Sequence, residues 1–250
     1  MRRDSTTAAG SNAGIPRRPA LLSRARQATH DELASISWVQ TLDPEERSRV
    51  AVELQVVQVA AGELLCRVGR PPAYWLGLLD GLLKMSNDSV LGIPITFTGV
   101  PPGGWFGEGT VLKQEAYRYN IEALRQSVVA GIAVETFHWL LERSIPFNRF
   151  ITQQLNERLG QFIAAREIDR MGDPDARVAL SLAALFHPVL YPGVGQMLRI
   201  TQQELGYLVG LSRQRVNESL RAMQERGVIR IEYGGVRVLD LTALRNWGRT

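Results

Sequence analysis

The sequence predicts an α+β protein with a small β-roll, a long helix and a C-terminal winged helix-turn-helix. Three observations lead to this prediction: short apolar runs broken by Gly and Pro between Val56 and Val134, a narrow apolar stripe after Pro146, and two short helices before a Gly-Gly hairpin. The expected division is residues 1–30 as a disordered basic tail, 31–146 as the roll with flanking helices, 147–171 as the long helix, and 172–250 as the winged helix-turn-helix.

Composition limits the classes of protein that this chain can belong to. Its 250 residues suffice for more than one domain, and the 45% hydrophobic fraction is ordinary for a globular protein. No apolar run approaches the length of a membrane span. The single cysteine, Cys66, excludes an intrachain disulfide and an iron–sulfur cluster held by four cysteines of one chain.

Charge is distributed unevenly along the chain. The net charge is +4, but residues 1–26 hold six Arg and one Asp, and residues 199–250 hold nine Arg and five acidic residues. Residues 27–198 are acidic, with fourteen basic and nineteen acidic side chains. A basic C-terminal segment beside an acidic body is what a DNA-binding module joined to a sensing domain would show.

The first half of the chain contains three segments with different residue patterns. Residues 1–30 mix Arg, Ser, Gly and Pro without apolar periodicity, so we expect them to be disordered. From His30 to about Glu53 the pattern is helical, and Pro44 opens a second helix directly after Asp43. The Gly-broken runs that follow favour a β-barrel or roll over a βαβ sheet.

A long helix is predicted after Pro146, and one stripe of it is apolar. The stripe consists of Ile151, Leu155, Leu159, Phe162 and Arg166. Its narrow width is typical of a coiled-coil-like seam and therefore favours a dimer. The alternative is that the helix packs only on its own roll. A further helix follows from about Asp175 to Phe186, and residues 187–196 form a loop.

The first helix of the C-terminal pair has clear start and stop signals. Thr201 and Glu204 form a capping box, in which each side chain satisfies a backbone donor of the other residue. Gly206 is small enough for a second helix to cross closely, and Gly210 supplies a left-handed C-cap.

The second helix begins after Ser212 and is amphipathic. Val216, Leu220 and Met223 recur at helical spacing and should be buried. The other face carries Arg213, Gln214, Asn217 and Arg221. After Gly227, alternating residues predict a strand that turns at Gly234-Gly235 and forms the wing.

A helix pair of this kind also occurs in folds that never bind DNA. Here the cap, the glycine turn, the polar outer face and the wing occur in the order of a DNA-binding winged helix, which places its second helix in the major groove. The sequence therefore predicts a DNA-binding protein.

These motifs resemble the cyclic-AMP receptor protein and fumarate–nitrate regulator (Crp/Fnr) family of bacterial transcription factors. The resemblance covers roughly residues 35–245 and is most specific in the segment ITQQELGYLVGLSRQRVNESLRAMQERGVIRIEYGGVRVLDLTALR. In the roll, AAGELLCRVG and GGWFGEG match the recurring glycine turns of the family. The resemblance implies a cyclic-nucleotide-binding-like jelly roll, a ligand-responsive homodimer, palindromic promoter DNA, contact with RNA polymerase and a cytoplasmic location.

The resemblance also implies roles for the polar residues of the helix pair. Arg213, Gln214 and Asn217 match positions that reach base edges, and Glu218 stands where both well-known members carry Arg, so a different recognition sequence is expected. The residues expected at DNA phosphates are Thr201, Gln202, Ser212, Arg215 and Arg221.

The sensing end matches the family only in part. Gly107 and Glu108 match the pair that holds a ribose hydroxyl, and Arg118 follows at the distance of the phosphate-binding Arg. The Ser that should follow Arg118 is missing, and an alternative register by one residue puts Tyr117 at the Arg position. A cyclic nucleotide, a small acidic metabolite and no ligand at all stay open as alternatives. No metal site is expected, and a haem lacks an axial ligand because His30, His138 and His187 lie outside the roll.

Two other function classes are compatible with a β-roll. A cupin-like metalloenzyme with an appended helix-turn-helix would need clustered His and carboxylate ligands, but residues 56–134 contain no His. A regulatory cyclic-nucleotide module would leave the residues after Arg199 without a role. The expectation is a transcription regulator that is not an enzyme.

Overall fold

The computed structural model describes residues 24–88 and 94–248. Structure begins earlier than the sequence predicts, because residues 24–30 are ordered and not part of a disordered tail. Strand β1 (Arg26–Gln27) pairs antiparallel with β2 (Gln55–Val59), and Arg26 forms an ion pair with Glu32. The rest of the predicted tail, residues 1–23, lies outside the described residues.

The two helices predicted before the roll are present, and each begins with a capping box. Helix α1 (His30–Ser35) begins with a capping box between Thr29 and Glu32, and α2 (Pro44–Glu53) begins with one between Asp43 and Glu46. A 3₁₀ helix, Ser37–Thr41, joins them. Each box satisfies backbone N–H groups that a helix start leaves without intrahelical partners.

The roll consists of two antiparallel sheets. Its remaining strands are β3 (Leu64–Cys66), β4 (Tyr74–Asp80), β5 (Leu83–Asp88), β6 (Pro94–Val100), β7 (Trp105–Phe106), β8 (Asn120–Ala123) and β9 (Ser127–Ala133). A short helix, α3 (Glu108–Lys113), interrupts them. The five-stranded sheet has the order β1-β2-β9-β4-β7, and the four-stranded sheet has the order β3-β8-β5-β6. The predicted β-roll is thereby confirmed.

An aromatic cluster attaches the flanking helices to the roll. Trp38, Trp75 and Phe147 are fully buried, and the ring centroids of Trp38 and Trp75 lie 5.3 Å apart. Trp105 of β7 lies 4.3 Å from Trp75, so strands and helices share one apolar contact region. Each such ring pair adds about 0.5–1.5 kcal/mol beyond the burial of its area.

Helices α4 (Val134–Arg143) and α5 (Ile145–Asp169) follow the roll, and α5 has two different faces. Ile151, Gln154 and Arg158 are buried against the same chain. Leu155, Leu159 and Ile163 are exposed, and their spacing of four residues makes one stripe. The predicted seam is therefore shifted: Ile151 faces the roll, Phe162 is half-buried, and Ile163 takes a place in the stripe that the sequence pattern did not assign.

The C-terminal part is built from four helices and a small sheet. The helices are α6 (Pro174–Ala184), α7 (Gln202–Val209), α8 (Arg213–Glu225) and α9 (Leu241–Arg245). The strands are β10 (Met197–Arg199), β11 (Ile229–Glu232) and β12 (Gly235–Val238), in the order β10-β12-β11. The predicted winged helix-turn-helix is confirmed, and residues 187–196, called the linker below, form the loop between α6 and β10.

The C-terminal part packs directly on the roll. Leu185 and Leu208 close over Gly99 of β6, where an added Cβ would lie 2.7 Å from Leu208 Cδ1. Arg125, in the turn between β8 and β9, forms an ion pair of 2.9 Å with Glu204 of α7. Among the described residues, no helix has both the length and the hydropathy to cross a lipid bilayer.

Candidate functional site

The turn between α7 and α8 is tight because two glycines allow it. Gly210 adopts a left-handed φ of 66°, which costs residues with a Cβ free energy. A Cβ on Gly206 would lie 2.8 Å from the carbonyl oxygen of Leu211, so the following chain crosses α7 too closely for any side chain there. These two positions fix the angle at which α8 leaves the turn.

Helix α8 presents a polar face to solvent. Val216, Leu220 and Met223 are buried against the rest of the domain. The exposed residues on the opposite side are Arg213, Gln214, Glu218 and Arg221. Within the described part of the chain, no carboxylate forms an ion pair with Arg213 or Arg221, so both guanidinium groups are available to a partner. This exposed set, together with Asn217, is called the recognition face below.

Asn217 lies at the inner edge of the recognition face and is half-buried. Its Oδ1 accepts a hydrogen bond of 3.0 Å from Gln202 Nε2 of α7. Gln202 thus holds the Asn217 side chain in one orientation, and the contact of Gln202 with a phosphate stays a prediction. Gln214 Nε2 donates in the same way to Glu218 Oε1 at 3.3 Å.

Thr201 and Ser212 use their hydroxyl oxygens to cap the two helices. Thr201 Oγ1 accepts from Glu204 N at 3.1 Å, and Ser212 Oγ accepts from Arg215 N at 3.2 Å. A hydroxyl that accepts a backbone N–H retains its own hydrogen as a donor. Both residues are exposed, so each O–H is placed to donate to an anion beside a helix N-terminus.

Arg215, for which the sequence predicts a phosphate contact, has partners within the domain. Its Nη2 lies 2.6 Å from Asp175 Oδ1 in the first turn of α6, and Ser219 Oγ donates to the same carboxylate oxygen at 2.7 Å. The guanidinium, whose side chain is 31% exposed, is therefore bound to a carboxylate within the domain. The i,i+4 spacing of Arg215 and Ser219 indicates a shared helix face, but only the tertiary structure identifies Asp175 as their partner.

The predicted effector residues line one cavity of about 280 Å³ beside α3 and α5. This cavity, called the sensor pocket below, is bordered by Met85, Gly107, Glu108, Gly109, Thr110, Lys113, Glu115, Ala116, Arg118, Tyr119, Leu155, Arg158 and Phe162. The structure thus brings Gly107, Glu108 and Arg118 together.

The ionic partner of Glu108 comes from α5 and was missed by sequence reasoning. Glu108 is buried, and its Oε1 lies 3.4 Å from Arg158 Nε, whose side chain is also buried. Burial by itself would lower the pKa of Arg158, but its neighbours, first among them Glu108, together outweigh that effect and raise the pKa. Arg118 instead points to solvent and pairs with Glu115 at 2.8 Å. Glu108 and Arg158 are fifty positions apart in sequence, so no local spacing indicates that they form a pair.

Tyr117, the residue of the alternative register, lies next to Gly107. A Cβ on Gly107 would be 3.4 Å from Tyr117 Cε1, and the Tyr117 hydroxyl is 3.5 Å from the carbonyl oxygen of Tyr74. Burial raises the pKa of Tyr117, which keeps the phenol neutral. An uncharged ring therefore occupies the space beside the glycine turn, and the cation nearest to it in sequence, Arg118, faces outward.

Cys66 is buried beside Tyr117. Burial raises the pKa of its thiol to about 12, so the thiolate, which is the reactive form, is not populated near neutral pH. No group of three or more His, Cys, Asp or Glu side chains with a metal-site arrangement occurs among residues 24–88 and 94–248.

Comparisons with known proteins agree with this architecture. The profile described as a cyclic nucleotide-binding domain matches residues 56–144, and the profile described as a Crp-like helix-turn-helix domain matches residues 176–247. The transcriptional regulator SdrP of Thermus thermophilus is 28% identical over 199 residues, covering 76% of this chain and 93% of the relative. The cyclic AMP receptor protein of the same organism is 27% identical over 165 residues, covering 66% and 74%.

Solved structures show the same fold. FixK2 from Bradyrhizobium japonicum superposes with a TM-score of 0.62 at 15% identity, covering 77% of this chain and 96% of its own. The c-di-GMP responsive regulator CLP of Xanthomonas campestris has a TM-score of 0.54 at 20% identity, covering 78% and 99%.

Proposed function

The chain is a DNA-binding transcription regulator of the Crp/Fnr family and not an enzyme, and on this premise we propose that it acts as a homodimer on a palindromic promoter site. The observation that carries the proposal is the recognition face, where Arg213 and Arg221 are exposed and pair with no carboxylate of the described residues. We propose that residues 31–146 form the sensing segment, 147–171 the dimerisation segment and 172–250 the DNA-binding segment. Strand β1, which precedes residue 31, belongs with the sensing segment because it pairs with β2.

The exposed stripe of α5 supports a homodimer. Leu155, Leu159 and Ile163 lie on one side of the helix, and the residues Leu159 and Ile163 are each 59% exposed. Apolar side chains at this spacing gain free energy when they pack against a second copy of the same helix. A two-fold dimer would present two recognition faces to two half-sites about one helical turn apart.

We assign direct base reading to Arg213, Gln214, Asn217 and Glu218. An Arg can pair with both acceptors of guanine, an amide can pair with the donor and acceptor of adenine, and a carboxylate accepts from the amino group of cytosine. Phosphate contacts are assigned to Thr201, Gln202, Ser212 and Arg221. Arg215 is reassigned to support α8 from within the domain, because Asp175 holds it.

We assign effector binding to the sensor pocket, with Glu108 and Gly107 as its central residues and Arg118 at its rim. A cyclic nucleotide is the first candidate, because the domain matches cyclic nucleotide-binding domains and one relative is a cyclic AMP receptor protein. Because a neutral tyrosine, Tyr117, lies beside Gly107, this part of the pocket favours a ligand group with less negative charge than a phosphate. RNA polymerase is the proposed protein partner, and the bacterial cytoplasm the proposed location.

Selection from random double-stranded oligonucleotides tests the DNA-binding proposal. The wild-type chain should enrich a two-fold symmetric sequence, and sedimentation should show a dimer. Leu159→Glu should make the chain monomeric and weaken binding to the full site, whereas the matched change at exposed Val52, V52E, should do neither. A monomeric wild-type chain without sequence preference would contradict the proposal.

Calorimetric titration with cyclic AMP and cyclic GMP tests the effector. Binding that is lost in Glu108→Ala but retained in Glu45→Ala, which changes an exposed carboxylate that does not line the pocket, would support a cyclic nucleotide. Absence of heat at millimolar concentrations of both would exclude this ligand class and leave the DNA-binding proposal untouched.

A further inference from the structure

Helix α5 is connected to the linker of residues 187–196 by a row of polar contacts. Gln154 Nε2 donates to the carbonyl oxygen of Val189 at 3.0 Å, and His187 Nε2 lies 3.1 Å from Glu157 Oε2. Further along the same face of α5, Arg158 and Gln161 reach the hydroxyl of Tyr191. Because the linker leads directly into β10 and α7, these contacts help set the position of the DNA-binding segment.

The Tyr191 hydroxyl is the most connected atom of the linker. It accepts from Arg158 Nη1 at 3.3 Å and from Gln161 Nε2 at 3.1 Å, and it donates to the carbonyl oxygen of Gly99 at 3.2 Å. Tyr191 is only 1% exposed. One phenol therefore joins the long helix, the linker and strand β6 of the roll.

Arg158 connects the same hydroxyl to the sensor pocket. While its Nη1 donates to Tyr191, its Nε faces Glu108 and its Nη2 donates to the carbonyl oxygen of Trp105 at 2.7 Å. A buried guanidinium that loses an ionic partner is costly, so it rearranges to regain hydrogen bonds. A group that binds Glu108 in the pocket must therefore alter how Arg158 is shared with Tyr191.

We propose that Arg158 and Tyr191 form the coupling contact through which occupation of the sensor pocket changes the position of the DNA-binding segment. In one state Arg158 bridges Glu108 and Tyr191, as in this structure. In the other a ligand engages Glu108, Arg158 turns toward the ligand, and the linker is released from α5. The inference rests on the proposed function, because it needs both an effector pocket and a DNA-binding readout. Tyr191 is a positioning residue and does not contact the ligand or the DNA.

A double-mutant cycle on DNA affinity tests the coupling without knowledge of the ligand. The variants are Glu108→Gln, Tyr191→Phe and both together, because each removes a charge or a hydroxyl while keeping the shape of the side chain. Dissociation constants for the selected site are measured by fluorescence anisotropy. The combined effect should depart from the product of the single effects by about fivefold or more. Glu45→Gln combined with Tyr191→Phe is the matched control and should give the simple product.

Amide hydrogen exchange provides a second readout that does not involve DNA. The Tyr191 amide donates to the carbonyl oxygen of His187 at 2.8 Å, so its exchange reports on linker opening. Glu108→Gln should accelerate this exchange, whereas Glu45→Gln should not. A purely structural role of Tyr191 predicts no such response to a change inside the pocket.

The outcomes separate the inference from the proposed function. Two results would overturn the coupling even though the wild-type chain binds its site. One is a double variant whose effect on DNA affinity equals the product of the single effects, and the other is an exchange rate of the Tyr191 amide that is unchanged in Glu108→Gln. A wild-type chain without any preferred site would overturn the proposed function and the inference with it. Thermal unfolding is recorded for every variant, and Glu108→Ala, which also removes the carboxylate, replaces Glu108→Gln under the same criteria if the latter does not fold.

Discussion

The guanidinium of Arg215 on α8 lies 2.6 Å from the carboxylate of Asp175 in the first turn of α6. Both side chains are 31% exposed, and Ser219 binds the same carboxylate. The position of α8 is thus fixed by a neighbouring helix forty residues earlier in the chain. Arg215 on α8 therefore has a structural role within the domain.

Arg215→Ala should lower the stability of the fold. Loss of the ion pair, with Ser219 and Asp175 left behind, should reduce the free energy of unfolding by about 1 kcal/mol. Denaturant titration measures this change, and Arg221→Ala serves as the matched control because no carboxylate of the described residues pairs with it. A stable Arg215→Ala variant with strongly reduced salt dependence of DNA binding would restore the phosphate role.

Arg221→Ala should weaken binding to all DNA sequences to a similar extent. A variant that makes one phosphate contact fewer releases fewer counterions when it binds DNA. The magnitude of the slope of log K against log salt should therefore fall by about 0.9 per recognition helix. Titrations at several salt concentrations measure the slope. An unchanged slope would remove Arg221 from the set of phosphate contacts.

Arg213→Ala should relax sequence preference at one position of each half-site. A bidentate Arg–guanine contact contributes about 1–3 kcal/mol of discrimination, which disappears with the guanidinium. Repeated selection with the variant should therefore show one degenerate position and an otherwise preserved motif. A motif identical to that of the wild-type chain would contradict the base-reading assignment.

His187 should make stability depend on pH. Burial, the largest cause, lowers the pKa of its imidazole below the ordinary value of 6.5, against the opposing effect of Glu157 and with the help of nearby Arg245 and Arg158. The unfolded chain then takes up the proton before the folded chain does, so the free energy of unfolding falls as pH drops below the unfolded pKa. His187→Gln should flatten this decline between about pH 7.5 and about pH 5.5, as measured by thermal melts. A decline of equal steepness in the variant would show that other groups cause it.

Cys66 should resist thiol reagents in the folded protein. Because its pKa is raised to about 12 and the side chain is buried, the thiolate needed for reaction is scarce and inaccessible. A chromogenic disulfide reagent should react only after denaturant is added. Rapid reaction of the native protein would indicate an opening of the roll near Tyr117.

The local sequence determined the parts of this protein that depend on neighbouring residues. The capping boxes at Thr29, Asp43 and Thr201, the glycine turn at Gly210 and the amphipathic face of α8 all arise from side chains within a few positions of each other. The β-roll followed from alternating apolar runs between glycine turns, although the pairing of its strands did not.

Only the tertiary structure decided which distant residues meet. Arg158 faces Glu108, Arg215 faces Asp175, and Ile151 turns inward while Ile163 joins the exposed stripe. Arg118, which the family spacing places at the phosphate-binding Arg, lies in the bend before β8, where it is exposed and pairs with Glu115. The physical reason is that ion pairing and burial act through space: the sequence fixes which side chains can pair, and packing fixes which of them come within reach.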